Sequence, residues 1–235
     1  MKNQSHIQMW PAVLIAAVLA LQPLAATAKG LGNTLQRYNN SMNVVLGGMT
    51  YQGAGGGTVP QIGVLGNSHF GDFYLGNSLS FAFGSIHGQR ANRFSLNLRP
   101  GWIVPLSRNV AIVPYARAGL DFQDEYAGNI HSPTAASLNF GYALGGGLSL
   151  EWSPVHRLVI NPSVDYSATR QRYARFNNQT QTHENYYLSG HETRETLNLL
   201  WYPLNWLHVG LNVRDRQFGK GSSILSYGGM VGFSF

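Results

Sequence analysis

SLNFGYALGGGLSLEW, residues 137–152, alternates side-chain character with a period of two. Leu138, Phe140, Tyr142, Leu144, Leu148, Leu150 and Trp152 fall on one face; Asn139, Gly141, Ala143, Gly145, Gly147, Ser149 and Glu151 fall on the other. That period marks a β-strand, whose successive side chains point to opposite sides. One side of this ribbon is apolar and ring-bearing, the other small or polar. Two architectures use such a ribbon. In a soluble sandwich the apolar face packs into a core about 10 Å thick. In a membrane barrel it meets lipid, and the small or polar residues fill the inside.

The split recurs along the chain. In 94–104, Phe94, Leu96, Leu98 and Trp102 oppose Ser95, Asn97, Arg99 and Gly101. In 110–122, Ile112, Leu120 and Phe122 oppose Arg117, Gly119 and Asp121. Segments 158–167, 207–214 and 225–235 follow the same rule, and 195–202 follows it less cleanly, with Leu197, Leu199 and Trp201 outward and Leu200 as an inward exception. The charges Arg99, Arg117, Asp121, Glu151, Asp165 and Arg214 all lie on the small or polar face. Trp102, Trp152, Trp201 and Trp206 stand at segment ends beside turn residues, the position of an interfacial girdle. These features favour the membrane barrel.

Tight connections at 105–109, 153–157 and 202–206 alternate with longer polar segments at 123–135 and 175–186. Short periplasmic turns alternate with longer external loops in outer-membrane barrels. Counting back from Phe235 gives strands near 224–235, 207–218, 188–201, 158–173, 137–152, 109–122, 93–104 and 78–86. Residues 42–52 and 61–74 add a further up–down pair joined by 53–60. The expectation is an all-β, antiparallel up-and-down transmembrane β-barrel of ten strands over residues 41–235. Eight strands with the first segment packed at the periplasmic mouth is the alternative.

Composition agrees. The 235 residues are 44% hydrophobic, 12% aromatic and only 11% charged, with 28 glycines; disordered chains are charge-rich and aromatic-poor. The absence of cysteine excludes disulfides, thiol chemistry and an acylated lipoprotein anchor. The net charge of +6 is scattered, which argues against nucleic acid and is compatible with anionic lipid. Residues 1–28 read as a secretory signal peptide: Lys2, an apolar run from Trp10 to Leu21, then Ala26-Thr27-Ala28 as the cleavage site. The apolar run is too short to span a bilayer, which takes about 20 residues. Residues 29–40 lack periodicity and read as a flexible N-terminal arm.

Tyr227, Val231, Phe233 and the terminal Phe235 resemble the β-signal of bacterial outer-membrane proteins, with a terminal aromatic preceded by alternating hydrophobic residues. Residues 78–235 resemble the strand–turn–strand units of small bacterial outer-membrane β-barrel proteins, and 59–83 is faintly similar to the MipA/OmpV group. The resemblance implies the bacterial outer membrane as location and the β-barrel assembly machinery as a partner in biogenesis. Lipid and lipopolysaccharide are the remaining expected partners.

The six interior charges form the first candidate site, either a paired, hydrogen-bonded plug or the lining of a narrow path for a small polar solute. Equal numbers of arginines and acids favour mutual neutralisation, since buried charges must pair. Arg170, Arg172 and Arg175 at one strand's outer end form a candidate lipopolysaccharide contact, because the arginine fork matches phosphate oxygens. No catalytic or metal-binding pattern emerges. His183-Glu184 and His191-Glu192 lack the His-Glu-x-x-His spacing, His208 reads as a hydrogen-bonded interior histidine, and Ser163 and Ser167 around Asp165 read as lining. The expectation is a protein with no cofactor and no enzymatic activity, serving a structural, envelope or surface-binding role. A narrow channel is the alternative, and a lipid-modifying barrel enzyme the second.

Overall fold

The computed structural model describes residues 40–52, 56–86, 89–129, 132–177, 182–218 and 222–235. The signal peptide expected at 1–28, and the arm as far as residue 39, lie outside them. Asn40 is tied down: its carbonyl accepts from the Phe235 amide at 3.0 Å and its side chain accepts from the His69 amide at 2.7 Å.

Ten long strands follow one another: β1 (Ser41–Gln52), β2 (Gly57–Phe70), β3 (Phe73–Ala82), β4 (Gln89–Trp102), β5 (Val110–Asn129), β6 (Ser132–Trp152), β7 (Leu158–Asn177), β8 (Thr182–Trp201), β9 (Leu207–Phe218) and β10 (Ser222–Ser234). Each pairs antiparallel with its neighbours in sequence. β1 pairs with β10 from Ser41↔Ser234 to Gln52↔Ser223, which closes the sheet. Two-residue pieces at Ser85–Ile86 and Val104–Pro105 extend the pairing of β4 and β5. The ten-strand expectation holds, and the eight-strand alternative does not. The β4–β5 ladder skips from Leu98↔Ala118 to Gly101↔Tyr115, beside Pro100 and Pro114. A proline has no N–H to give the ladder.

Side-chain facing follows the alternation. Val113, Tyr115, Arg117, Ala143, Val159, Asp165, Leu200, His208 and Arg214 are buried inside. Leu98, Leu120, Phe122, Leu144, Val164, Leu211 and Val231 are exposed outside. A soluble monomer does not expose a continuous apolar belt of this extent, whereas a barrel in hydrocarbon requires one. From Ile112 to Phe122 the outward face of β5 rises roughly 25 Å at a tilt near 40°, matching that band. Trp102, Trp152, Trp201 and Trp206 ring the short-turn end, all exposed. At the opposite edge Phe81, Phe94, Phe122 and Phe140 form a ladder across β3 to β6, with ring centroids 4.9, 5.8 and 4.8 Å apart.

Two sets of boundaries differ from the sequence reading. The polar segments 123–135 and 175–186 are not loops: β5 runs to Asn129, β6 starts at Ser132, β7 runs to Asn177 and β8 starts at Thr182. Beyond the apolar belt hydrocarbon no longer dictates the outward side chains, so alternation fades while backbone pairing continues. These strands rise roughly 18 Å past Phe122, at about 3.3 Å per residue and the same tilt. β5 to β8 therefore form a tall wall facing a low rim of the other strands. Residues 57–60, expected in a loop, open β2. The β2–β3 turn lies at Gly71 and Asp72, where Gly71 has φ 63°, and not after residue 74. Gly76-Asn77, which look like turn residues, sit inside β3. A Cβ on Gly76 would lie 2.5 Å from the Tyr74 hydroxyl, so this glycine serves close packing rather than a turn.

Candidate functional site

The inside of the barrel is layered. Nearest the short turns, Val45, Val159, Leu200, Tyr202 and Met230 form one apolar cluster, and Tyr74, Ile103, Ala111 and Val113 a second. His208 is fully buried beside them, with Asn43 at Nε2 and the Ser234 hydroxyl at Nδ1, 3.3 Å away. It is the hydrogen-bonded interior histidine expected from sequence.

Above this floor lies a charged network crossing the lumen. Arg117 on β5 donates to Asp165 at 2.8 Å and Ser167 at 2.9 Å on β7, and to Asn97 on β4 at 3.1 and 3.2 Å. Its second guanidinium nitrogen lies 3.1 Å from Glu192 on β8. Arg194 bonds Glu192 at 3.0 Å and reaches Asn97 at 2.9 Å. Arg216 on β9 bonds Glu192 at 2.7 Å and Asp121 on β5 at 2.7 Å. Asp121 also accepts from Ser95 and lies 3.4 Å from Arg93, both on β4. β4 and β5 face β8 and β9 across the barrel, so these contacts span its bore. Charge-assisted bonds of this kind are the stronger class of hydrogen bond.

Three of the six sequence-nominated interior charges, Arg117, Asp121 and Asp165, meet in this network. Arg99 reaches it only through Tyr115, whose hydroxyl donates to Asp165 at 3.3 Å, and no ion pair joins Arg214 or Glu151 to it among the described residues. Arg99 lies over the Tyr115 ring at 5.6 Å, while Arg214 Nε and Glu151 Oε2 are buried without a hydrogen-bond partner. Sequence reading missed Arg93, Glu192, Arg194 and Arg216. The signal was present as parity: stepping by two from Asn198 through Thr196 reaches Arg194 and Glu192, from Arg214 reaches Arg216, and from Ser95 reaches Arg93. The balance of signs also changes. Among the described residues six arginines face inward (93, 99, 117, 194, 214 and 216) against four acids (121, 151, 165 and 192).

The His191-Glu192 pair is split by the strand. Glu192 points in, while His191 points out and stacks on Tyr166 at 5.3 Å between ring centroids. Arg170 and Arg172 are exposed on the outer face of the tall wall, and the Arg170 guanidinium lies 5.1 Å over the Tyr187 ring. Arg175 pairs with Glu184 through the backbone, and its side chain lies outside the described residues. Not every outward position is apolar. Glu195 and Asp215, opposite each other on β8 and β9, face outward near the upper edge of the belt. Tyr227, Val231, Phe233 and Phe235 are all exposed on the closing strand, with Phe233 stacked on Trp206 at 5.9 Å.

Over the network the barrel opens into a vestibule of about 580 Å³ between the tall wall and the low rim, with Arg93 at its base. Among the described residues no group of three or more His, Cys, Asp or Glu is placed to hold a metal ion.

Comparison with known proteins places the fold. The solved structure of the outer-membrane protease OmpT from Escherichia coli matches over 88% of this chain and 99% of its own, with a TM-score of 0.55 at 9% identity. The fold is that of bacterial outer-membrane β-barrels. Two further matches are the translocator domain of the autotransporter NalP from Neisseria meningitidis (12% identity, 96% of each chain, TM-score 0.48) and the attachment invasion locus protein Ail of Yersinia pestis (6% identity, 84% of this chain and 99% of that chain, TM-score 0.45). No family model matches the chain, and no curated protein matches it either. The likeness of 59–83 to the MipA/OmpV group gains no support from them.

Proposed function

We propose that this protein is a sealed, non-enzymatic barrel of the bacterial outer membrane whose working surface is its external mouth, in an envelope or surface-binding role. The observation that carries this reading is the charged network from Asp121 and Arg117 to Glu192 and Arg216, which joins opposite walls through bonds of 2.7–3.1 Å. An ion crossing the lumen would have to break several buried charge pairs, each costing about 3–5 kcal/mol to disrupt. The apolar clusters below add a second barrier. The chain ends and short turns belong on the periplasmic side, and the tall wall stands outside. Export by the leader, delivery by the β-barrel assembly machinery through Tyr227, Val231, Phe233 and Phe235, and contact of Arg170 and Arg172 with lipopolysaccharide phosphates complete the proposal.

Planar-bilayer recording tests the seal. The full barrel is expected to give no steady single-channel steps in 1 M salt, about the strongest screening used for such records. Regular steps would overturn this reading in favour of the narrow channel. The enzyme alternative predicts altered lipid A or phospholipid after incubation, and unaltered lipids are expected.

A further inference from the structure

We infer that the external vestibule is a binding site for an acidic saccharide, an inference that rests on the mouth being the working surface. Two side chains that line it are more than nine-tenths buried and each leaves a polar atom without a partner: Arg93 Nε, a donor, and Asn139 Oδ1, an acceptor. Buried polar groups are normally satisfied, and an orphan costs about 1–3 kcal/mol. A lone donor and a lone acceptor, on two side chains in the wall of one cavity, suit a ligand rich in hydroxyls, which both donate and accept.

Charge selects the acidic form. The carboxylate beside Arg93 is Asp121 at 3.4 Å, but Asp121 is already held by Arg216 at 2.7 Å and by Ser95. The guanidinium of Arg93 thus shares an acid that another arginine holds more closely, in a lumen with more arginines than acids. A ligand carboxylate at the base of the vestibule would supply the missing charge. Tyr173 on β7 and Phe218 on β9 also line the space and bring aromatic surface to the apolar face of a sugar, each ring backed on one face, by Tyr186 at 5.0 Å and by the Arg216 guanidinium at 5.3 Å. The volume of about 580 Å³ lies within the range of small-molecule sites. The saccharide belongs either to lipopolysaccharide of the same leaflet or to a glycan arriving from outside.

The test is calorimetric titration of the full barrel in phospholipid vesicles with a uronic-acid trisaccharide, and with maltotriose as the neutral probe. Saturable binding of the acidic probe, at least about tenfold tighter than the neutral one, is expected. Asn139→Leu should weaken both probes by about tenfold, and Arg93→Gln should abolish the preference for the acidic one. Heat-modifiable gel migration verifies that each variant is folded. Arg93→Gln also removes an ion pair, so Asn139→Leu, which touches no charge, keeps the test valid should the first variant fail to fold. Repeating the titration in vesicles containing lipopolysaccharide separates the sources: competition identifies the resident lipid, and unchanged affinity identifies an external glycan. No saturable binding, equal affinity for both probes, or binding unaffected by Asn139→Leu would each overturn the inference. A silent bilayer record without saccharide binding would remove this inference alone, while steady conductance would remove the sealed-barrel reading.

Discussion

Replacing Glu192 with glutamine removes one charge and almost no volume, and it strikes the most connected group in the lumen. Its carboxylate receives Arg216 at 2.7 and 3.1 Å, Arg194 at 3.0 Å and Arg117 at 3.1 Å. At an effective dielectric near 20, each charge pair at this distance has a gross attraction of about 4 kcal/mol. Much of that offsets desolvation, and breaking a buried pair by neutralising one partner costs about 3–5 kcal/mol net. Three guanidiniums would then face an amide that turns an NH2 donor toward at least one of them. We expect Glu192→Gln to lower the unfolding free energy by about 3–5 kcal/mol in urea titrations from lipid vesicles, followed by tryptophan emission. Trp102, Trp152, Trp201 and Trp206 on the outer face report the loss of the lipid contact. A double-mutant cycle with Arg216→Met should return a coupling of about 1–3 kcal/mol, since the two groups share two bonds. The variant should also show transient current bursts where the parent is silent. A parent-like stability, within about 0.5 kcal/mol, together with zero coupling would refute the claim that this network holds the barrel shut.

Other perturbations probe separate parts of the fold. Gly147→Arg should abolish heat-modifiable folding, because even a Cβ there would lie 2.4 Å from the Val164 carbonyl and 2.6 Å from the Asp165 Cβ; normal yield on a gel would reject the packing. Gly145→Arg should behave alike, with the Tyr166 carbonyl 2.1 Å from the added Cβ. Glu195→Leu should stabilise the barrel by about 1–2 kcal/mol in vesicle unfolding titrations, because an outward carboxylate near the lipid belt is costly; a loss of stability would show that it has a partner in the membrane. Deleting Phe235 should slow assembly into vesicles by the purified assembly machinery while leaving detergent refolding intact, and equal rates would dismiss the C-terminal signal.

The architecture was legible because lipid is an unforgiving solvent. Wherever a strand crosses hydrocarbon, every second side chain must be apolar, so Leu120, Phe122, Leu144 and Val164 announced both the strand and its facing. The same rule picked out Leu200 as the single inward leucine of its segment, now buried in the lower cluster. Legibility ended where that solvent ends. Residues 123–129 and 182–186 are strand beyond the belt, and nothing in their polarity separates such a ribbon from a loop. The strand expected at 188–201 already held Glu192 and Arg194, but its faces were assigned only over 195–202, which cut both from their own parity series. Arg216 and Arg93 likewise lay within the strands expected at 207–218 and 93–104 but outside the segments 207–214 and 94–104 whose faces were assigned. The pairing partners were beyond reach for another reason. Arg216 meets Asp121 from four strands away around the barrel, and no local pattern encodes which interior side chains share a height.

The low rim and the tall wall give the network a direction. Below it lie two apolar clusters, with His208 hydrogen-bonded beside them. Above it, amides and rings line the vestibule, and Arg93 stands at the boundary with one guanidinium nitrogen 3.4 Å from Asp121 and its Nε without a protein partner. An arginine placed only to brace the barrel would spend its donors on the wall, as Arg117 does on Asp165, Ser167, Asn97 and Glu192. The two arginines, on the paired strands β4 and β5, are thus treated unequally, as the recognition role inferred for Arg93 requires. Neutralising Arg117 is expected to cost stability without changing saccharide preference, and neutralising Arg93 to change preference at a smaller cost in stability.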